Sequence, residues 1–209
     1  MSGLFITFEG GEGSGKSTQV RRLAEHFRAQ GRPVVETREP GGTPVGEALR
    51  NLLVTGDIGR WSAEAEAMLN AAARNVHVRD VISLALARGD VVISDRFIDS
   101  TRAYQGYAGG CSFDLIDSLE TAAIGDCRPN LTLILDLDSA VGLARAKVRG
   151  EGMEDRYERK GPAFHEKLRA GFLAIAKAEP ERCRVIDASQ DIEGVASDIL
   201  KALQGHFHG

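Results

Sequence analysis

The residues best suited to chemistry lie in the stretch LFITFEGGEGSGKST, where a short apolar run breaks into glycines and then opens a helix. Gly10, Gly11, Gly13 and Gly15 permit positive φ, and a bare backbone can wrap an anion with its N–H groups. Gly10, four further residues, then Gly15, Lys16 and Ser17 have the spacing of a phosphate-binding loop. In such a loop the amides and the positive end of the helix dipole hold phosphates, the lysine reaches the outer oxygens, and the serine ligates Mg2+. The triphosphate-binding candidates are therefore Gly10, Gly11, Glu12, Gly13, Ser14, Gly15, Lys16, Ser17 and Thr18. A dinucleotide loop would instead want an acidic residue about 20 positions on. Glu36 and Glu39 stand in that range, but Gly15-Lys16-Ser17 fits only the triphosphate type.

A second signature is VVISD followed by Arg96, an apolar strand ending in Asp95. An aspartate there can orient Mg2+ or its waters, and the arginine adds a cation at the same sheet edge, so Ser17 and Asp95 form the metal set. Asn70 and Arg74, four apart on a predicted helix, share a face that is either a pocket wall or an ordinary solvated surface. Arg145 and Arg149 stand one turn apart on a later helix. They lead into RGEGMEDRYERKG, which reads either as a solvated loop or as a lid bringing Arg149, Arg156 and Arg159 over phosphates to exclude water.

The elements that must hold these groups follow from periodicity. Leu4 to Phe8 suits a buried parallel strand, and Val20, Leu23, Ala24 and Phe27 repeat as one helix face that stops at Gly31. Further strands are expected at Val34 to Thr37, VVISD, LTLILDLD and VIDAS. Between the second strand and the next helix, TREPGGTP reads as a loop at the sheet edge, with Pro40 able to take a cis bond. Ser62 caps a long helix in which Ala65, Met68, Leu69, Ala72 and Val76 form one stripe. Residues 98 to 126 read as helical with a break near Tyr107 to Cys111, and the tail GHFHG as frayed. Strands alternating with helices predict an α/β three-layer sandwich with a five-stranded parallel sheet, in one domain over residues 1–209 with a lid at about 149–161.

Composition narrows the rest. Cys111, Cys127 and Cys183 show no metal-like spacing and fit reduced thiols, and no stretch is apolar enough for a membrane span or a secretion signal. The expectation is a cytoplasmic protein without membrane partners. A net charge of −4 argues against nucleic acid as a partner, so an anionic ligand must meet local cations.

Four strings in order, FEGGEGSGKST, TREPGGT, DRFIDSTRAYQG and the LILDLD to EDRYE region, resemble the bacterial thymidylate kinase family over nearly the whole chain. The resemblance implies a P-loop nucleotide kinase fold, a cytosolic homodimer, and Mg2+-dependent transfer of the ATP γ-phosphoryl to dTMP. It implies catalytic roles for Lys16, Asp95, Arg96, Arg149 and Arg156, and places Arg145 against adenine. The dTMP set it implies is Glu12, Arg38, Pro40, Asn70, Arg74, Arg96, Thr101, Tyr104 and Gln105. Arg38 and Arg96 would clamp the acceptor phosphate, Arg74, Thr101 and Gln105 would read the base, and Tyr104 would select deoxyribose. Some family members carry an arginine inside the phosphate loop; this chain has Gly13 there, which assigns that charge to the lid. Where the family has an aromatic four residues before the base-reading arginine this chain has Asn70, with Phe97 or Tyr104 as the aromatics in compensation. The alternatives are a kinase for another nucleotide or deoxynucleoside on the same fold, and a GTP-dependent switch, against which the missing N-K-x-D string counts.

Overall fold

In a computed structural model of the chain, residues 3–148 and 156–207 are described. The strands are β1 (Leu4–Glu9), β2 (Val34–Arg38), β3 (Val91–Asp95), β4 (Leu131–Asp136) and β5 (Cys183–Asp187). The helices are α1 (Lys16–Ala29), α2 (Pro44–Val54), α3 (Ala63–His77), α4 (Ser83–Ala87), α5 (Ile98–Thr101), α6 (Phe113–Ile124), α7 (Ser139–Val148), α8 (Pro162–Ala178) and α9 (Ile192–Phe207). All strand pairs are parallel, in the order β2-β3-β1-β4-β5.

Alternation along the strands builds both outer layers. From β1, Ile6 and Phe8 join Leu23 and Phe27 of α1 and Ile199 of α9 on one face. Phe5 points the other way, into a cluster with Ile82, Phe97 and Ile124. Under α8, Ile134 packs with Leu168 and Phe172. Each such large apolar side chain contributes roughly 1.5–3 kcal/mol on burial. The central strands β1, β3 and β4 are buried along all or nearly all of their length, whereas β2 and β5 sit at the sheet edges and are partly exposed.

The helical layer contains two stretches of π-helix. One, Val78–Ile82, joins α3 to α4 into a continuous rod, and the other, Arg102–Tyr107, extends α5. The latter holds Tyr104 and Gln105 on a widened turn, a geometry common at functional sites.

α3 buries a polar face and leaves its apolar stripe largely outside the core. Ser62 caps it as expected, its Oγ accepting from Ala65 N at 3.2 Å. The apolar stripe faces outward, with Met68 half exposed and Ala72 exposed, while Glu66, Arg74 and His77 are buried. The physical reason is partnering: these polar groups are satisfied inside by one another and by adjoining loops, which removes the cost of burying them. The tail also differs, since α9 continues to Phe207 rather than fraying from Gly205.

Candidate active site

The C-terminal ends of β1, β2 and β3 open into a cleft of about 470 Å3, where ligands collect in open parallel sheets. One wall is the glycine loop. Gly10, Gly13 and Gly15 all take positive φ, and among the described residues none of the backbone N–H groups of residues 11–17 finds an acceptor within the chain. An anion is the partner such a row of donors suits. Lys16 lies buried across the loop, donating to the carbonyls of Gly10 at 3.1 Å and Gly11 at 2.8 Å. Burial, and then the Arg96 charge, lower its ammonium to about 8, against the pull of Asp95, Glu12 and Glu9. The loop also rests on α7 with no room between them. A Cβ on Gly13 would come within 2.0 Å of the Gly142 carbonyl oxygen, and one on Gly142 within 2.3 Å of that of Glu12. That contact leaves no room for a Cβ at Gly13 unless α7 shifts.

At the floor, Ser17 Oγ donates to Asp95 Oδ2 at 2.7 Å, joining the start of α1 to the end of β3. A hydroxyl and a carboxylate form a small hard-oxygen set. This fits Mg2+, which uses few protein ligands and completes its shell with waters and phosphate oxygens.

Arg96 is the pivot of the cleft. Its backbone has φ 72, uncommon for a residue with a side chain, and its amide is fixed by donation to Phe8 O at 2.8 Å. The guanidinium donates to Gly10 O at 3.1 Å, Ser100 Oγ at 3.2 Å and Glu12 Oε1 at 3.1 Å, and lies 4.9 Å from the centre of the Tyr104 ring. Tyr104 OH donates to the same Glu12 oxygen at 2.5 Å. Burial would raise the Glu12 carboxyl, but Arg96, Lys16 and the Tyr104 hydroxyl outweigh it and bring it down to about 2.

Sequence reasoning missed the carboxylate under this turn. Glu9 accepts from Phe97 N at 2.8 Å, from Ser100 N at 3.2 Å and from Ser100 Oγ at 2.6 Å, so it clamps the backbone on the far side of Arg96. Burial and then Asp99 raise its carboxyl to about 8. The available signal was an acid at the end of an otherwise apolar strand.

On the other wall stand Arg38, held by Glu47 at 3.0 Å, and Arg50, which sequence reasoning also missed and which donates to Pro40 O at 3.1 Å. The Glu39–Pro40 bond is cis. Behind them, Glu39 accepts from Arg74 Nε at 2.6 Å and pairs with His77 Nδ1 at 2.9 Å. Arg74 also donates to Thr101 Oγ1 at 3.1 Å and to Phe97 O at 3.0 Å. Arg74 is therefore a buried bracket behind the cleft wall, not a solvated surface residue.

Lys16, Ser17, Thr18, Glu12, Gly13, Ser14, Gly15, Arg38, Pro40, Asn70, Asp95, Arg96, Thr101, Tyr104 and Gln105 all line the cleft. Gly10 and Gly11, at the start of the loop, do not line the cleft, and Lys16 donates to their carbonyls. Arg145 does not line the cleft: it is exposed on α7 and donates to Ala188 O at 3.3 Å. Arg149 lies outside the described residues. Arg156 is fully buried, donating to Leu53 O at 2.5 Å, Ile58 O at 3.1 Å and Glu66 Oε1 at 2.6 Å. Its charge is spent on that knot instead of on the phosphate loop. Phe97 is ruled out as a stacking surface, because it is fully buried edge-on against Phe5 with ring centres 4.9 Å apart. Tyr104 remains, lining the cleft beside Tyr157.

Residues 8–199 match the family model described as thymidylate kinase. The chain is 55% identical over 197 residues to the thymidylate kinase of Caulobacter vibrioides, covering 94% of each chain. It is 50% identical over 207 residues to that of Ruegeria pomeroyi, covering 99% of this chain and 97% of the relative. Among solved structures it resembles the thymidylate kinase from Ehrlichia chaffeensis, with a TM-score of 0.77, 37% identity, and 98% and 100% of the two chains covered. The chain therefore belongs to the thymidylate kinase family.

Proposed function

We propose that the protein transfers the γ-phosphoryl of ATP to dTMP, giving ADP and dTDP, with Mg2+ as the metal. The observation that carries this is the convergence of two cation sets in one cleft: Lys16 in the glycine loop on one side, Arg38 and Arg50 on the other, and Arg96 between them. Two anionic phosphates can be held in line there, and phosphoryl transfer asks little more than placement and charge neutralisation.

The loop amides and Lys16 take the β and γ phosphates of ATP. Arg38 and Arg96 take the acceptor phosphate, and Glu12, through its bonds to Arg96 and Tyr104, keeps both aimed. Ser17 and Asp95 would hold Mg2+, which when bound neutralises charge on the triphosphate oxygens. The acceptor phosphate is already ionised near pH 7, with a second pKa of about 6, so no general base is needed. Tyr104, Thr101 and Gln105 form the wall for the nucleoside, with Arg74 behind Thr101. The fully buried Arg156 acts as a structural bracket in this reading.

No described helix is long and apolar enough to cross a membrane. A homodimer is supported by the outward strip of α3, where Met68 stands half exposed with Ala72 beside it and Val76 only partly covered. A two-fold axis would pair that strip with its own copy.

The test is label transfer. Purified protein given γ-labelled ATP, Mg2+ and dTMP should yield labelled dTDP in step with ADP, and chelation of Mg2+ should stop it. Release of labelled inorganic phosphate independent of dTMP would contradict the reading.

A further inference from the structure

Glu66 sits on the inward face of α3, 1% exposed, and both its oxygens are engaged. Oε1 accepts from Arg156 at 2.6 Å and lies 3.5 Å from Lys160 Nζ. Oε2 accepts from Gln105 Nε2 at 2.8 Å and from Tyr157 OH at 3.0 Å. The second hydrogen of Gln105 Nε2 points to Tyr157 OH at 3.4 Å. An ionised carboxylate can only accept, so the amide has one permissible orientation here. Burial, then Glu66, raise the Tyr157 phenol, so it stays protonated and donates to Glu66. Gln105 lines the cleft, and among the described residues no donor reaches its Oε1.

We propose that Glu66 is a specificity-determining positioning residue: it holds the Gln105 amide with its carbonyl toward the cleft, so the wall accepts a hydrogen bond from the acceptor base. Thymine and uracil offer an N–H at ring position 3. Cytosine offers a bare nitrogen there and would set lone pair against lone pair. A site built around one hydrogen-bond polarity rejects the opposite one because the mismatch leaves a buried group unpaired. The inference rests on reading this cleft as the dTMP site. Arg156 and Lys160 supply the countercharges beside which Glu66 sits as a buried carboxylate.

The experiment compares dUMP with dCMP, which differ only at the pairing edge, in wild type and Glu66→Gln at saturating Mg-ATP. The glutamine can donate as well as accept, so Gln105 is freed to turn over. The kcat/KM ratio of dUMP to dCMP should fall about tenfold in the variant. An equal loss on both substrates, with the ratio unchanged, would mean that Glu66 is only structural and would overturn the inference. Should the variant not fold, wild-type NMR with 15N-labelled glutamine decides. The Gln105 NH2 signals should be protected from solvent exchange in the free protein and remain so with dTMP bound. A large shift and loss of protection on binding would show that the NH2 meets the base, against the inference. Wild type that turns over no dTMP would sink the function reading itself, and the inference with it.

Discussion

Lys16 is a cation that the protein has made expensive to keep. Burial lowers it to about 8 in the free protein, and a bound polyphosphate would restore the countercharge it lacks. The protonated form is the one that grips phosphate, and it is populated below that value. The kcat/KM for Mg-ATP should therefore fall on an alkaline limb near pH 8, while the limb in kcat lies higher; an ATP profile flat to pH 9.5 would contradict this. Lys16→Ala should lower kcat by several orders of magnitude with an unchanged circular dichroism spectrum. Arg156 makes a different demand. Arg156→Ala strands the Glu66 carboxylate in the interior, and losing one partner of a buried pair costs about 3–5 kcal/mol. A thermal melt should show a large drop in Tm, whereas an unmoved Tm with reduced kcat would return Arg156 to the chemistry. The glycine loop, Asp95 and Arg96 were legible because their chemistry rides on a fixed local spacing. Glu9, Glu66 and Glu39 were not, since each takes its meaning from partners far along the chain, such as Ser100, Arg156 and Arg74.

At the scale of elements, the loop between β1 and α1 is held by close approach to α7 as much as by its own glycines. Gly13→Arg would combine an unfavourable φ of 68 with a Cβ 2.0 Å from a carbonyl oxygen of α7. It should push α7 off the loop and cut kcat/KM for ATP by at least tenfold, measurable in steady state. A variant as active as wild type would mean that the packing yields cheaply. The boundaries of β1, α1, β3 and β4 were readable because apolar runs and glycine stops coincide. On α3 the apolar stripe was visible in the sequence but the side it faces was not, since a polar face that satisfies its own hydrogen bonds leaves no trace in hydrophobic periodicity. The π-helical turn at Arg102–Tyr107 left no sequence signal either, yet it carries Tyr104 and Gln105.

For the whole molecule, the outward stripe of α3 gives the surface a task. Met68→Glu should convert a dimer to a monomer by light scattering, with the cleft intact; a protein already monomeric at micromolar concentration would remove that role. The order β2-β3-β1-β4-β5 brings the ends of the first three strands to one edge, so three distant motifs share one cleft. The α/β class was readable from alternation, but strand order was not, because every strand pair here is parallel and nothing in the periodicity says which strands are neighbours. The central claim is that this cleft joins ATP to one particular acceptor. Steady-state turnover with Mg-ATP against dTMP, dUMP, dCMP, AMP and GMP tests it most directly. The account predicts the highest kcat/KM for dTMP, with equal amounts of ADP and dTDP. A higher value for AMP, GMP or dCMP, or ADP formed at the same rate without any acceptor, would contradict it.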